Sequence, residues 1–395
     1  MSRNQKIFLA ILGIYVIFDF VLGSLVGVFL WDQTGETKVL LVYYLALFAS
    51  VMFFSQIASY LMGRFGSKKV YIFSIFLGML QALLLLIYQA SISQMIVFFG
   101  LLAGASIGLQ AVSYGLVASA VTYGEDAISF LGIKSSLMNI ISIISVPLIT
   151  LIITKNGSYN ISYFIGLLAG IIVIILISLL KIEDPKSSYH PLSFIGSAIS
   201  TPDSRIYLLT RFVYGLFSGP SWAIFGIIVF KFAGNLSTWG IISTIFTIIH
   251  IIGSYLYGKI SSHNIHKAYS TFSTLIFAVV VILLATNWNF ATFLIYQFGL
   301  VLLNIAFSIH YENLTYAILS ENELFIANKK ELLGLGEICI GIGRLVPLTI
   351  LLVVGFTLED NLMIQVLLVA VASLPLLITA LLKSTAPFQN HYAKI

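Results

Sequence analysis

The chain has 395 residues, of which 59% are hydrophobic and only 9% charged, and its mean hydropathy is +1.04. A soluble globular protein carries about 25% charged residues, so this composition excludes an ordinary water-soluble domain and predicts a polytopic membrane protein. The single cysteine, Cys339, excludes an intramolecular disulfide framework and is interpreted as a small core residue.

Apolar runs about as long as a bilayer is thick follow one another along the chain, and a helix needs roughly 20 residues to cross a bilayer. The first run carries Asp19 at its middle and is longer than the apolar part of a signal peptide, so we expect it to be a retained span. The sequence predicts twelve spans: 7–31, 39–62, 69–89, 95–120, 130–154, 161–181, 205–231, 237–258, 268–286, 291–319, 332–356 and 361–383.

A polar stretch, IEDPKSSYHPLSFIGSAISTPDS, separates the spans into two sets of six. Its prolines, serines and charges are typical of a surface connection. The predicted fold class is therefore an all-α membrane protein of twelve transmembrane helices in two pseudo-symmetric halves. We place the first half at residues 1–181, a cytoplasmic linker at 182–204 and the second half at 205–395.

Two short phrases occur once in each half. SYLMGR at residues 59–64 matches SYLYGK at 254–259, and each phrase ends the second span of its half. Val-Pro-Leu at 146–148 recurs at 346–348, in the fifth span of each half. These echoes indicate a tandem duplication of a six-helix unit, and an even number of spans inserts both copies in the same sense.

Lysine and arginine residues indicate the orientation. With a cytoplasmic N-terminus, fifteen of them lie on the cytoplasmic side, three lie outside, and Arg211 and Arg344 lie within spans. The cytoplasmic set includes Lys134. The positive-inside rule then predicts that both termini are cytoplasmic. Since the basic residues serve as topology markers, the net charge of +5 does not indicate nucleic-acid binding.

In topology and length the chain resembles the major facilitator superfamily, and the region around 100–150 is similar to poorly characterised members from Gram-positive bacteria. The family carries a loop after its second span, roughly G-x-x-x-D-R-x-G-R-R/K. Gly63 replaces the acidic residue of that motif, which alters the usual wiring of the loop. The loop here reads SYLMGRFGSKK and keeps four motif residues, which the resemblance implies form a cytoplasmic gate: Arg64, Gly66, Lys68 and Lys69.

Polar side chains within the spans are candidates for a substrate cavity. An ionisable group at the bilayer centre costs about 2.5–3.5 kcal/mol, so it is a functional candidate by default. In the family the first span lines the central cavity, which implies that Asp19 binds a proton or a cationic group; the alternative is a polar contact between helices. The other predicted cavity residues are Gln110, Tyr114, Asn304 and Tyr311.

The spans of the second half also hold a candidate charge network. Glu337 and Arg344 are about 10 Å apart along one helix, so we expect Glu337 to meet Arg211 or His310 on a neighbouring helix. Proton coupling and a purely structural salt-bridge cluster are the two interpretations. We favour Glu312 as the proton site, because a histidine and a tyrosine precede it. The network comprises Glu312, Glu337, Arg344, Arg211 and His310.

The predicted function is secondary active transport of a small or amphipathic organic solute across the cell membrane by alternating access, as proton-coupled export. The alternatives are proton-coupled uptake of a polar metabolite, a lipid-headgroup flippase of the same fold, a gated channel and, least favoured, an intramembrane enzyme. The phrase GSYLYGKI lacks the hydroxyl residue of a phosphate-binding loop, so ATP is not predicted. We expect a monomer that uses a small-molecule substrate, protons and membrane lipid, and no cofactor, metal or nucleic acid.

Overall fold

The computed structural model describes the chain apart from residues 89–91, 93, 123–126, 183–194, 197, 199–201, 234–235, 260–262, 313–327, 355–359 and 384–395. Most of the predicted linker and the C-terminal tail therefore lie outside the described residues, and the division of the chain into three segments stays a prediction. All regular structure in the described part of the chain is helical, and each predicted span overlaps a described helix. The predicted fold class is confirmed.

Helices α1–α6 make up the first half. Helix α1 consists of Arg3–Asp19 and Leu25–Thr34, joined by a π-helical turn at Phe20–Ser24. The other five are α2 (Thr37–Phe65), α3 (Ser67–Tyr88), α4 (Ile96–Thr122), α5 (Ala127–Asn156) and α6 (Asn160–Leu179).

Helices α7–α12 make up the second half. They are α7 (Pro202–Ala233), α8 (Leu236–Lys259), α9 (His263–Thr286), α10 (Phe290–Ala306), α11 (Lys329–Val354) and α12, which consists of Asp360–Ala372 and Leu374–Lys383. A second π-helical turn, Phe307–Tyr311, continues α10. Within the described residues, ten helical stretches are long and apolar enough to cross a membrane, and Phe290–Ala306 is a shorter apolar helix.

Large apolar side chains cover the outer surface of the bundle. Ile87, Val279 and Val353 are each more than 60% exposed, which would be unfavourable in water. Inside the first half, α4 packs closely on α2, because a Cβ atom at Gly104 would lie only 2.2 Å from the carbonyl oxygen of Leu47. Small residues at a helix interface and apolar residues outside are typical of packing in lipid. The protein is therefore a multi-pass membrane protein.

Two pairs of helices join the halves: α5 packs on α8, and α2 packs on α11. Helices α2 and α8 are each the second helix of their half, and α5 and α11 are each the fifth. Each pair therefore joins the second helix of one half to the fifth helix of the other. We call the end of the bundle at which α1 begins and α2 ends the terminal face. The duplicated phrases lie there, in the last turns of α2 and α8.

The duplicated phrases contribute contacts between the two halves at the terminal face. The Ser59 hydroxyl donates to the carbonyl oxygen of Lys330 at 3.0 Å, and the Ser254 hydroxyl lies 3.3 Å from the Ser135 hydroxyl. Both Ser59 and Ser254 are fully buried. The repeat therefore has a structural reason, because each copy supplies a small polar residue to the same kind of interface.

One topology marker was assigned wrongly from the sequence. Lys134 lies inside α5 and is 7% exposed, so it is a buried residue of the membrane-spanning helix. Without it, fourteen basic residues remain on the predicted cytoplasmic side against three outside. The predicted orientation is unchanged.

Cysteine labelling tests the orientation. In a Cys339→Ser background, Asn328→Cys should react with an impermeant maleimide only from the cytoplasm, and Asn156→Cys only from outside. The reason is that five of the described membrane helices, α6–α10, an odd number, separate the two positions. Whole cells and inverted vesicles supply the two directions of access. Labelling of both cysteines from the same side would contradict the arrangement.

Candidate functional site

A cavity lies between the two halves and has two lobes, of about 630 and 580 Å³. Helices α1, α4, α5 and α8 line the first lobe, and α7, α8 and α10 supply most of the second. Residues of both halves therefore face a common space. Both lobes are lined by Asn139, Ser243, Thr247, His250 and Glu312.

Asp19 presents its carboxylate to the first lobe and is exposed there, near the middle of α1. The Tyr15 hydroxyl, one turn earlier on α1, lies 3.1 Å from Asp19 Oδ1 and 2.8 Å from Gln110 Oε1. Gln110, on α4, is buried behind Tyr15 and holds its hydroxyl in position. Among the described side chains Asp19 has no ion-pair partner, so its charge is available to a solute.

An ion pair between Lys134 of α5 and Glu312 crosses from one half to the other. The distance from Lys134 Nζ to Glu312 Oε1 is 2.5 Å, and the two side chains are 9% and 22% exposed. Both line the first lobe, and Lys134 Nζ also lies 5.7 Å from the ring centroid of Tyr114. Glu312, favoured from the sequence as the proton site, is thus bonded to a lysine of the opposite half.

A second ion pair lies within the second half. Arg211 Nη2 of α7 is 2.5 Å from Glu337 Oε1 of α11, and the side chains are 13% and 10% exposed. Arg211 Nη1 is 3.5 Å from the Tyr311 hydroxyl, and both residues line the second lobe with Asn304. Of the two partners anticipated for Glu337, the structure provides Arg211. The side chain of the other, His310, lies outside the described residues.

Arg344 also lies on α11, but its contacts differ from those of the Arg211–Glu337 ion pair. Its Nε donates to the Ser218 hydroxyl at 3.0 Å, and its guanidinium lies 4.8 Å from the ring of Phe48 and 5.6 Å from that of Trp222. Phe48 belongs to α2 and Trp222 to α7, so the cation joins aromatic rings of both halves. Cation–π contacts of desolvated groups contribute about 2 kcal/mol, so Arg344 stabilises the interface of the halves.

Both carboxylates of the first lobe adjoin a π-helical turn. Asp19 directly precedes the turn Phe20–Ser24, and Glu312 directly follows the turn Phe307–Tyr311. Single π-helical turns inside α-helices are rare and occur frequently at functional sites. The π-helical turn makes this end of α10 irregular, and Phe307, Tyr311 and Glu312 line the second lobe.

The loop predicted as a gate lies at the terminal face. Gly66 ends α2 with φ of 87°, a conformation that favours glycine, and Arg64 and Lys69 are exposed. Lys68 Nζ donates to the carbonyl oxygens of Ser178 and Leu180, at 2.5 and 2.9 Å. Lys68 therefore caps the C-terminus of α6 in its own half, where a cation is stabilised by the helix dipole.

Lys134 is the functional candidate that the sequence reasoning missed. The predicted fifth span, 130–154, already contains it, and a lysine inside a span is a signal of function. Its partner is 178 positions away along the chain, so spacing gave no indication of the pair. Among the described residues no group of three or more histidine, cysteine, aspartate or glutamate side chains is arranged to hold a metal ion.

Comparison with known proteins agrees with this architecture. The sequence profile described as Major Facilitator Superfamily matches residues 7–323. The chain is 22% identical to the uncharacterized protein YqgE of Bacillus subtilis (strain 168) over 369 residues, which is 91% of this chain and 85% of the relative.

Solved structures with the same fold cover nearly the whole chain. The human organic anion transporter MFSD10 (TETRAN) has a TM-score of 0.65 at 13% identity, with 97% of this chain and 100% of that one covered. A variant of the E. coli fucose:proton symporter FucP has a TM-score of 0.64 at 15% identity, with 97% and 100% covered. A mutant of the nucleoside transporter NupG has a TM-score of 0.64 at 12% identity, with 96% and 98% covered.

The profile spans most of the chain, and the described helices surround a central cavity between two halves, as the resemblance of the sequence had implied. The chain belongs to the Major Facilitator Superfamily and is a secondary transporter with the fold of that family.

Proposed function

We propose that the protein is a proton-coupled exporter of a small organic solute in the cell membrane, and that Glu312 binds the coupling proton. The observation that carries the proposal is the ion pair between Lys134 and Glu312, which joins the two halves in the wall of the cavity. An alternating-access carrier needs a group whose protonation changes the contact between its halves. Glu312 is placed to be that group.

The coupling follows from the electrostatics of the pair. While Glu312 is ionised, its attraction to Lys134 holds α5 against the end of α10. Protonation removes that attraction, so the halves separate more easily on this side of the cavity. In a partly buried environment such a pair is stronger than an exposed one, because solvent screens it less. FucP, which has a similar fold, is a fucose:proton symporter, which supports proton use by this chain.

Uptake of a polar metabolite is the alternative direction. It is favoured by the polar lining of the first lobe, which includes Asn139, Ser243 and Thr247. Export and uptake differ only in whether solute and proton move in opposite directions or together, and the same geometry serves both.

Reconstitution tests the proposal. Solutes that raise the thermal unfolding midpoint in detergent are selected, because a ligand that binds the folded form stabilises it. In proteoliposomes containing pyranine, export predicts proton movement opposite to the added solute, with saturation and counterflow. Proton movement in the same direction as the solute would indicate uptake. Unsaturable flux without counterflow would indicate a channel and contradict a carrier.

Arg64 tests the predicted role of the loop at the terminal face. We expect Arg64→Ala to slow transport several-fold while solute affinity changes by no more than a few-fold, because Arg64 is exposed at the end of α2 and does not face the cavity. Initial rates and thermal stabilisation measure the two quantities. Lys155→Ala, an exposed residue at the opposite end of the bundle, is the matched control. A large loss of affinity in Arg64→Ala would contradict the prediction.

A further inference from the structure

The first lobe is lined by more polar groups than a site for a lipophilic solute needs. Ten of its eighteen lining residues carry charged, hydroxyl, amide or imidazole groups, without counting its two tyrosines. Apolar residues such as Val16, Ile143 and Val146 are the minority. The first lobe therefore offers a solute many hydrogen-bonding groups in addition to its apolar surface.

The uncharged polar groups form two stripes that face the cavity from opposite halves. Each stripe follows the spacing i, i+4, i+7, which places its three residues on one side of a helix. The stripe on α5 comprises Ser135, Asn139 and Ser142, and that on α8 comprises Ser243, Thr247 and His250.

Two residues of the stripes, Asn139 and Thr247, present hydrogen-bond acceptors to a solute. Asn139 donates from its amide nitrogen to the carbonyl oxygen of Ser135 at 2.7 Å, which leaves its amide oxygen facing outward. Thr247 donates its only proton to the carbonyl oxygen of Ser243 at 2.7 Å, which leaves oxygen lone pairs. Donor groups of a solute, O–H or N–H, match these acceptors.

The charges of the lobe select the sign of the solute. While Glu312 is ionised, Lys134 and Glu312 neutralise each other at 2.5 Å, so Asp19 is left as the uncompensated charge among the described acidic and basic groups of the wall. A carboxylate in the wall of a membrane cavity is stabilised by a cation that enters the cavity. An anionic solute would meet repulsion at this point.

We propose that the transported solute is a protonated amine whose body carries several hydroxyl or N–H donors. The ammonium group binds Asp19, and the donors bind the acceptors of the α5 and α8 stripes. This inference rests on the proposed function, because it describes the solute of that same cavity. It assigns Asp19 to charge recognition and Thr247 to recognition of the polar body.

Thermal unfolding in detergent with four probes tests the class of solute. The probes are N-methyl-D-glucamine (a protonated, polyhydroxylated amine), sorbitol (its neutral counterpart), gluconate (an anionic counterpart) and tetraphenylphosphonium (a lipophilic cation). At about 10 mM, a probe that binds the folded protein raises the unfolding midpoint. We expect N-methyl-D-glucamine to raise it more than sorbitol does, and gluconate and tetraphenylphosphonium to give no specific increase.

Variants assign the effect to the cavity. Asp19→Asn should weaken the affinity for N-methyl-D-glucamine at least tenfold, Asp19→Glu should largely retain it, and the near-isosteric Thr247→Val should weaken it several-fold. Thr286→Val removes a hydroxyl at the end of α9, outside the cavity, and should have no effect. Circular dichroism before heating confirms that each variant is folded.

Three results would overturn the inference: no stabilisation by N-methyl-D-glucamine beyond that by sorbitol, equal stabilisation of wild type and Asp19→Asn, or specific stabilisation by tetraphenylphosphonium alone. The proposed transport function and the proposed solute class can fail independently of each other. If the amine binds through Asp19 but proteoliposomes show no counterflow of it, the binding site stands and the proposed function fails. If another solute shows proton-linked counterflow, the function stands and the solute class is wrong.

Discussion

Replacing Glu312 by glutamine is expected to abolish solute accumulation driven by a pH gradient while leaving solute exchange largely intact. Glutamine keeps the shape of the side chain but holds it permanently neutral, so Lys134 no longer has a carboxylate 2.5 Å away in either state of the cycle. The halves can still rock around a bound solute, but a proton no longer alters their contact. Accumulation and counterflow in the same proteoliposomes measure the two activities.

The matched control for Glu312 is Glu337→Gln, which neutralises a carboxylate bonded within one half. Its pair with Arg211 does not cross between the halves, so gradient-driven accumulation should persist in whatever fraction of the variant folds. Undiminished accumulation in Glu312→Gln would exclude Glu312 as the coupling site. Equal loss of accumulation and exchange would assign it a structural role.

Removing Arg211 is expected to cause a large loss of stability. Arg211→Met leaves Glu337 as an unpaired carboxylate in a site where its side chain is only 10% exposed. Breaking a buried ion pair by removing one partner costs about 3–5 kcal/mol. Thermal or denaturant unfolding in mixed micelles measures the change.

The double variant Arg211→Gln with Glu337→Gln separates the pair from the cost of an isolated charge. Because it leaves no unpaired charge, it should recover most of the stability lost in Arg211→Met. Lys155→Met, at an exposed site, is the control and should change stability by no more than about 0.5 kcal/mol. A double variant as unstable as the single one would show that the destabilisation does not come from the stranded carboxylate.

Much of this architecture could be predicted from hydropathy and duplication. Apolar length located the spans, because lipid requires a helix to satisfy its own backbone groups. The repeated SYL phrases correctly indicated equivalent helices, since Ser59 and Ser254 occupy comparable contacts between the halves. Asp19 was selected because a carboxylate inside a span is costly, and the structure places it in the cavity wall.

The pairing of the charges could not be predicted in the same way. Lys134 looked like a loop marker because it lies near the start of its span, and only the packing of α5 against the second half brings it to Glu312. Gln110 was assigned to the cavity from its position within a span, yet the rotation of α4 places it behind Tyr15. Helix rotation is decided by tertiary packing, which hydropathy does not encode.

The π-helical turns have a consequence for how this chain is compared with its relatives. Relative to an unbroken α-helix, each turn accommodates one extra residue, and one residue corresponds to about 100° of rotation and 1.5 Å of rise. A relative with one residue fewer in the segment matching Phe307–Tyr311 would direct the residue aligned with Glu312 away from the cavity. The carboxylate that faces the cavity in that relative would then lie one alignment column away from Glu312. An alignment without a gap at this turn would wrongly show the site as missing.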